Sequence, residues 1–197
     1  MKKYVLFAGV NGAGKTTLYQ TDYYAMHMPR VNVDEIVRSI GVWDNPSDVM
    51  KAGKIAAREI KHYLAEGISF NQETTLCGRS ILQNIKLAKE KGFFIEVFYV
   101  GLESAEIAKN RVKHRVLNGG HGVSEQDIER RYKESLKQLK RIVKLCDTIT
   151  FFDNTSDFRQ IGTLCNGKVV EVGSRIPKWC HPFFDINTEL QFEIQSE

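Results

Sequence analysis

Residues 9–16 read GVNGAGKT and match the phosphate-binding pattern G-x-x-x-x-G-K-[ST] at every position. Glycines let the backbone curl until several amide N–H groups point at one anion, and a following helix adds the positive end of its dipole. Lys15 would contact the β- and γ-phosphates, and the hydroxyl of Thr16 would bind Mg²⁺. The pattern predicts a site for ATP or GTP with Mg²⁺ at Gly9, Asn11, Gly12, Ala13, Gly14, Lys15, Thr16 and Thr17.

The segments around this loop have the arrangement that the pattern requires. Residues 4–8 are a short apolar run, typical of a strand that is buried on both faces, and a helical pattern begins after the loop. A glycine-rich turn that ends in Lys-Thr by chance is the alternative. The strand before the loop and the helix after it favour the phosphate site.

Five short apolar segments alternate with helical patterns along the chain. This alternation predicts an α/β fold with a parallel five-stranded sheet and helices on both faces. We expect strands at 4–8, 30–33, 68–72, 93–100 and 148–152, and helices at 15–26, 48–65, 79–91, 104–116 and 125–145. The pair Asn166-Gly167 predicts a small β-hairpin between 163–165 and 168–172, followed by an extended tail from Pro177.

Two carboxylates follow predicted strands, at the edge of the sheet where ligands bind. Asp34 could take a proton from an acceptor hydroxyl as a general base, hold Mg²⁺ through a water molecule, or only cap a helix. Glu73 could bind the acceptor, order the Mg²⁺ shell, or cap the following helix. Weaker candidates for the acceptor pocket are Thr74, Thr75 and Arg79.

Residues 109–144 contain eleven of the 28 lysines and arginines. One interpretation is a helical lid at about 109–131 that clamps phosphates; a nucleic-acid surface and a solvated helix face are the alternatives. In the second helix of this segment, Arg131 borders the apolar stripe while Arg130 lies nearly opposite it. We therefore expect Arg131 to reach inward. His121 in the Gly-Gly-His-Gly turn could touch a ligand, but we expect it to face solvent.

Length and composition limit the protein class. A chain of 197 residues that is 42% apolar can form one domain with a sizeable core. The net charge of +4 suits an anionic ligand but does not argue for nucleic acid. No apolar run approaches the roughly 20 residues of a membrane helix, so we expect a cytoplasmic protein without a membrane partner.

These segments together resemble the zeta-toxin family, and within it a branch of predicted ATPases. The resemblance rests on the phosphate loop and on the segments VNVDE at 31–35, ETTLCGR at 73–79, VGL at 100–102, RVxxRVxxGGH at 111–121 and RRY at 130–132. It implies one kinase-like P-loop domain, with a core over 1–160 and a hairpin and tail over 161–197. It also implies a protein antitoxin as a partner.

The family resemblance assigns roles to individual residues. It implies that Asp34 is the catalytic acid–base residue, that Glu73 binds the substrate, and that Arg115 and Arg131 clamp the phosphates beside Lys15. Well-studied zeta toxins phosphorylate a sugar hydroxyl of UDP-N-acetylglucosamine. We therefore expect a phosphotransferase that acts on the hydroxyl of a small metabolite, such as a nucleotide sugar.

Two other functions remain open from the sequence. The first is a nucleotide-dependent ATPase switch that binds a partner protein. The second is a nucleic-acid end kinase, which the basic segment suggests. Only one aromatic residue, Tyr132, is available in that segment for base stacking, so we expect no nucleic-acid partner.

Overall fold

A single sheet of seven strands forms the centre of the computed structural model, which describes residues 1–184. The strands are β1 Lys3–Ala8, β2 Arg30–Val31, β3 Phe70–Thr74, β4 Phe94–Gly101, β5 Thr148–Asp153, β6 Arg159–Cys165 and β7 Lys168–Val172. Their spatial order is β2-β3-β1-β4-β5-β6-β7, and the first five are parallel. The α/β fold with a parallel core is confirmed.

Helices connect the parallel strands. They are α1 Lys15–Thr21, α2 Tyr23–Met26, α3 Val33–Ile40, α4 Pro46–Glu66, α5 Arg79–Glu90, α6 Ala105–Leu117, α7 Glu125–Ile142 and α8 His181–Phe184. Alternate residues of β1 belong to different apolar clusters: Leu6 packs with residues of α4 and α5, whereas Phe7 packs with residues of α1 and α2. The helices therefore cover both faces of the sheet, as the buried strand pattern requires.

The predicted hairpin is confirmed, but it enlarges the main sheet. Strand β6 pairs antiparallel with β5 and with β7, so the hairpin adds two strands to the five predicted parallel ones. The turn consists of Asn166 and Gly167, with φ values of 50° and 76°. Both are left-handed, as expected for the tight turn that an Asn-Gly pair forms.

Several predicted boundaries differ from the structure by a few residues, and three predictions differ in kind. The first helix is broken at Asp22, whose side chain accepts from the amide of Ala25 and so starts α2. Strand β2 ends at Val31, because the side chain of Asn32 caps α3. The extended tail is wrong for the described part after Pro177, which forms a 3₁₀ turn, Lys178–Cys180, and α8.

The predicted lid packs on the phosphate loop. Val10 and Ala13 of the loop are buried against Ala108 and Val112 of α6 and Ile128 of α7. This contact is apolar and places the connection between α6 and α7 over the carboxyl ends of the parallel strands. Over residues 1–184, none of the helices combines the length and apolarity needed to cross a bilayer.

Candidate nucleotide and acceptor site

The phosphate loop has the backbone conformation that its glycines predict. Gly9, Gly12 and Gly14 have φ values of 140°, 79° and 102°, which L-residues with side chains rarely adopt. A Cβ atom at Gly9 would lie 2.2 Å from the carbonyl oxygen of Val100 on β4. Gly14 precedes α1, and no side chain caps the amides of the first turn of that helix.

Lys15 is buried beneath this loop. Its Nζ atom donates to the carbonyl oxygen of Val10 over 3.1 Å and lies 4.0 Å from Oε1 of Glu73. Burial lowers the pKa of Lys15, although the negative charges of Glu73 and Asp34 act in the opposite direction. A bound triphosphate would add the negative charge that this buried cation lacks.

Glu73 meets Thr16 at the carboxyl end of the sheet. Strand β3 lies beside β1, with Phe7 in register with Glu73. The hydroxyl of Thr16 lies 3.1 and 3.0 Å from the two carboxylate oxygens of Glu73. Hydroxyl and carboxylate oxygens are the donors that Mg²⁺ prefers, so these two side chains fit the metal.

Arg30 and Asn32 hold the carboxylate of Glu73. Arg30 donates to Oε2 over 2.7 Å, and the amide of Asn32 donates to the same oxygen over 3.2 Å. The guanidinium of Arg30 also lies 3.5 Å from the ring centre of Tyr19 on α1. Neither contact of Glu73 was predicted, because Arg30 lies outside the motifs and Asn32, although part of VNVDE, contacts a residue 41 positions away.

Asp34 lies in the first turn of α3. Its backbone amide donates to the side chain of Asn32 over 2.9 Å, so Asn32 is the helix cap and the capping interpretation of Asp34 is wrong. Burial alone would raise the pKa of Asp34. The hydrogen bond and charge of His121, together with the charges of Lys15 and Arg115, outweigh burial and lower the pKa. Asp34 is therefore ionised at neutral pH, as a general base must be.

His121 does not face solvent, so that expectation is wrong. Its side chain is 7% exposed, and its Nε2 atom lies 3.2 Å from Oδ2 of Asp34. The ring stacks on the indole of Trp43, with centroids 4.2 Å apart and planes inclined by 12°. Arg115 donates from Nε to the backbone carbonyl of His121 over 3.1 Å, and its Nη2 atom is 3.1 Å from Nε2.

The two arginines at the start of α7 have different surroundings. Arg131 donates from Nη1 to the side chain of Asn11 in the phosphate loop over 3.0 Å. The side chain of Arg130 is 58% exposed and forms ion pairs with Asp127 and Glu134. Arg131 thus reaches the nucleotide site, as the helical spacing predicted.

A cavity of about 420 Å³ opens beside these groups. It is lined by several of the predicted site residues, namely Asn11, Lys15, Asp34, Glu73, Thr74, Thr75 and Arg131, and also by Trp43. Arg79 is exposed at the start of α5 and lies outside the cavity lining. Asn154, after β5, donates to the carbonyl oxygen of Ala13 over 2.8 Å and so supports the phosphate loop from behind.

Comparison with known proteins agrees with this geometry. The family model described as "AAA domain" matches residues 5–140, which include the phosphate loop, Asp34, Glu73 and both lid helices. The chain belongs to this AAA domain family. An uncharacterised protein of Haemophilus influenzae is 34% identical over 130 residues, which cover 66% of this chain and 92% of that protein.

Solved structures share the fold of this AAA domain protein at low sequence identity. The AvrRxo1-ORF1:AvrRxo1-ORF2 complex with sulphate ions has a TM-score of 0.69 at 14% identity, over 98% of this chain and 63% of that one. The same complex with ATP gives 0.66 at 15% identity, again over 98% and 63%. The chain thus spans less than two thirds of those proteins.

A third structure comes from the PezAT chromosomal toxin–antitoxin system of Streptococcus pneumoniae. It has a TM-score of 0.60 at 15% identity and covers 83% of this chain and 72% of that one. The resemblance to zeta-toxin-like P-loop kinases is confirmed, because these structures share the fold of this chain.

Proposed function

We propose that this AAA domain protein is a kinase that transfers the γ-phosphoryl group of ATP or GTP to a hydroxyl group of a small molecule. One observation carries the proposal: an ionised carboxylate, Asp34, lines the same cavity as the phosphate-loop lysine, Lys15. A carboxylate in the same cavity as this lysine is placed to take a proton from an acceptor hydroxyl beside the γ-phosphate.

The loop residues hold the triphosphate in this proposal. Left-handed glycines orient backbone amides toward the phosphates, and Lys15 leaves the carbonyl of Val10 to contact the β- and γ-oxygens. Thr16 and Glu73 would hold Mg²⁺. The metal, when bound, neutralises phosphate charge and fixes the geometry of the γ-phosphoryl group.

Asp34 acts on the acceptor. Its carboxylate accepts the proton of the acceptor hydroxyl as the hydroxyl oxygen forms a bond to the γ-phosphorus. The bond between that phosphorus and the β,γ-bridging oxygen breaks, and the nucleoside diphosphate leaves. Arg131, which is hydrogen-bonded to Asn11 of the loop, and Arg115 stabilise the charge on the transferred group.

The resemblance and the comparisons support two finer parts of the proposal. The first acceptor to test is UDP-N-acetylglucosamine, because zeta toxins act on it. The second is an antitoxin partner, since one structure of similar fold comes from a toxin–antitoxin system. Growth arrest on expression of the wild-type protein, but not of Asp34→Asn, would support a toxic kinase.

A screen with γ-labelled ATP tests the function. The protein is incubated with Mg²⁺, labelled ATP and hydroxyl-bearing metabolites, beginning with UDP-N-acetylglucosamine. Transfer of label to one compound, in a reaction that needs Asp34, is the expected result. If the label is released only as inorganic phosphate with every compound, the kinase proposal is wrong and the ATPase switch gains support.

A further inference from the structure

The imidazole of His121 lies against two residues that line the cavity, Trp43 and Asp34. One face of the ring covers the indole of Trp43, and its Nε2 atom faces Oδ2 of Asp34 at 3.2 Å. The ring therefore lies between a flat apolar surface and the proposed general base. Only 7% of the His121 side chain remains exposed.

A tight turn folds the loop back so that this position can be reached. Gly119 has a φ of 80°, and the amide of Gly120 donates to the carbonyl oxygen of Arg115 over 2.9 Å. A Cβ atom at Gly120 would lie 2.6 Å from Cγ of Arg115, so only glycine fits there. Gly119 and Gly120 therefore let the chain turn back after α6 and place His121 in the site.

A single nitrogen atom of His121 contacts both catalytic groups. Nε2 can carry a proton and donate to Asp34, or lack one and accept from Nη2 of Arg115 at 3.1 Å. In either state, the ring is hydrogen-bonded to a group that the transfer reaction needs. The backbone carbonyl of His121 also accepts a hydrogen bond from Nε of Arg115, which restricts the conformation of the Arg115 side chain.

Trp43 retains an unused polar group. Its Nε1 atom is buried and has no hydrogen-bond partner among residues 1–184. The contact with His121 uses the face of the indole and leaves this donor unsatisfied, which is costly for a buried N–H group. A ligand on the same surface could supply an acceptor atom that the imidazole does not.

We propose that His121 is a displaceable plug of the acceptor subsite. The inference rests on the proposed kinase function: the acceptor displaces the imidazole from Trp43 and brings its hydroxyl to Asp34. Before the acceptor arrives, the imidazole pairs with Oδ2 of Asp34, so this oxygen is not free to take a proton from water. This arrangement suppresses wasteful hydrolysis, in which a water oxygen bonds to the γ-phosphorus, the β,γ-bridging bond breaks, and Asp34 takes the proton.

Hydrolysis of ATP without an acceptor tests the plug. We compare the wild-type protein with His121→Ala, and use His114→Ala as the matched control, because His114 is an exposed histidine on α6. His121→Ala should raise acceptor-independent hydrolysis by about tenfold or more, with the roughly 10²–10⁴-fold contribution of a general base as the upper limit. His114→Ala should hydrolyse ATP at the wild-type rate.

A second single variant and a double variant complete the test. Trp43→Leu removes the surface on which the ring rests, so it should raise hydrolysis in the same direction as His121→Ala. Adding Asp34→Asn to His121→Ala should abolish the increase. The plug is refuted if both single variants hydrolyse no faster than the wild type while Asp34→Asn still lowers turnover. If Asp34→Asn leaves ATP turnover unchanged, the proposed kinase function itself is wrong.

Discussion

Arg30 and Glu73 form a buried ion pair beneath the phosphate loop. Nη2 of Arg30 lies 2.7 Å from Oε2 of Glu73, and their side chains are 9% and 10% exposed. The Nε atom of the same guanidinium donates to Glu35 over 3.0 Å. This pair sets the position of the carboxylate that faces Thr16, and so joins β2 to the predicted metal site.

Loss of Arg30 should therefore destabilise the protein. Arg30→Met leaves Glu73 charged, buried and without its strongest partner, which should lower the free energy of unfolding by about 3 kcal/mol. Denaturant unfolding of the wild type, Arg30→Met, Glu73→Gln and the double variant measures the coupling. The double variant should lose less free energy of unfolding than the two single variants lose together. Strict additivity would show that the ion pair makes no specific contribution.

Lys15 should lower the free energy of unfolding when no nucleotide is bound. Since burial lowers its pKa, the folded state disfavours the charged form, and Lys15→Met should raise the free energy of unfolding by about 1 kcal/mol at pH 7. Glu73 keeps Arg30 and Asn32 as partners in this variant. Stabilisation by ATP should disappear.

The stability gain of Lys15→Met should shrink as pH rises. Between the lowered pKa and the ordinary value of 10.5, the unfolded wild-type chain binds more protons at Lys15 than the folded chain does. The wild type therefore gains stability with pH in that range, whereas the variant does not. Unfolding curves at several pH values measure the gap, and a gap that widens with pH would contradict the burial argument.

Two glycine substitutions should have opposite effects. Gly9→Ala places a methyl group against the carbonyl of Val100 at a strained φ, so it should cost about 3 kcal/mol and abolish ATP binding. Gly53 lies in the interior of α4, and a Cβ there would meet no atom within 4 Å. Gly53→Ala should stabilise the protein by about 0.5–1 kcal/mol, as expected for alanine in a helix. Equal effects of the two changes on thermal unfolding would contradict the loop geometry.

Asn154 should support nucleotide affinity without touching the nucleotide. Asn154→Ala removes the 2.8 Å hydrogen bond to Ala13, a loss of about 1 kcal/mol, or roughly fivefold weaker ATP binding. Asn118→Ala, at the exposed end of α6, is the control and should bind ATP as the wild type does. Titration calorimetry with ATP and Mg²⁺ measures both. Unchanged affinity in Asn154→Ala would mean that the loop holds its shape without this bond.

The sequence predicted those parts of the site that depend on contiguous residues. The phosphate loop is one motif, and strand alternation placed Glu73 at the carboxyl end of a strand. The inward direction of Arg131 follows from helical periodicity, because each turn fixes which residues share a face. The roles assigned to these residues stay predictions until they are tested by mutation.

The parts that the sequence did not predict depend on contacts between distant segments. Trp43 lies between α3 and α4, and His121 lies between α6 and α7, so no local pattern relates them. Arg30 occupies a two-residue strand whose partners are on β3 and α1. By contrast, the helix break at Asp22 had a local signal, since aspartate is a favoured helix cap.

The most direct measurement compares the wild type with Asp34→Asn in two assays on the same preparations. ATP affinity is measured by titration with Mg²⁺, and single-turnover transfer of the γ-phosphate is measured with the acceptor found in the screen. We predict nearly equal ATP affinity and a transfer rate reduced by about 10²–10⁴-fold in the variant. Full transfer activity in Asp34→Asn would contradict the role of Asp34 as the general base.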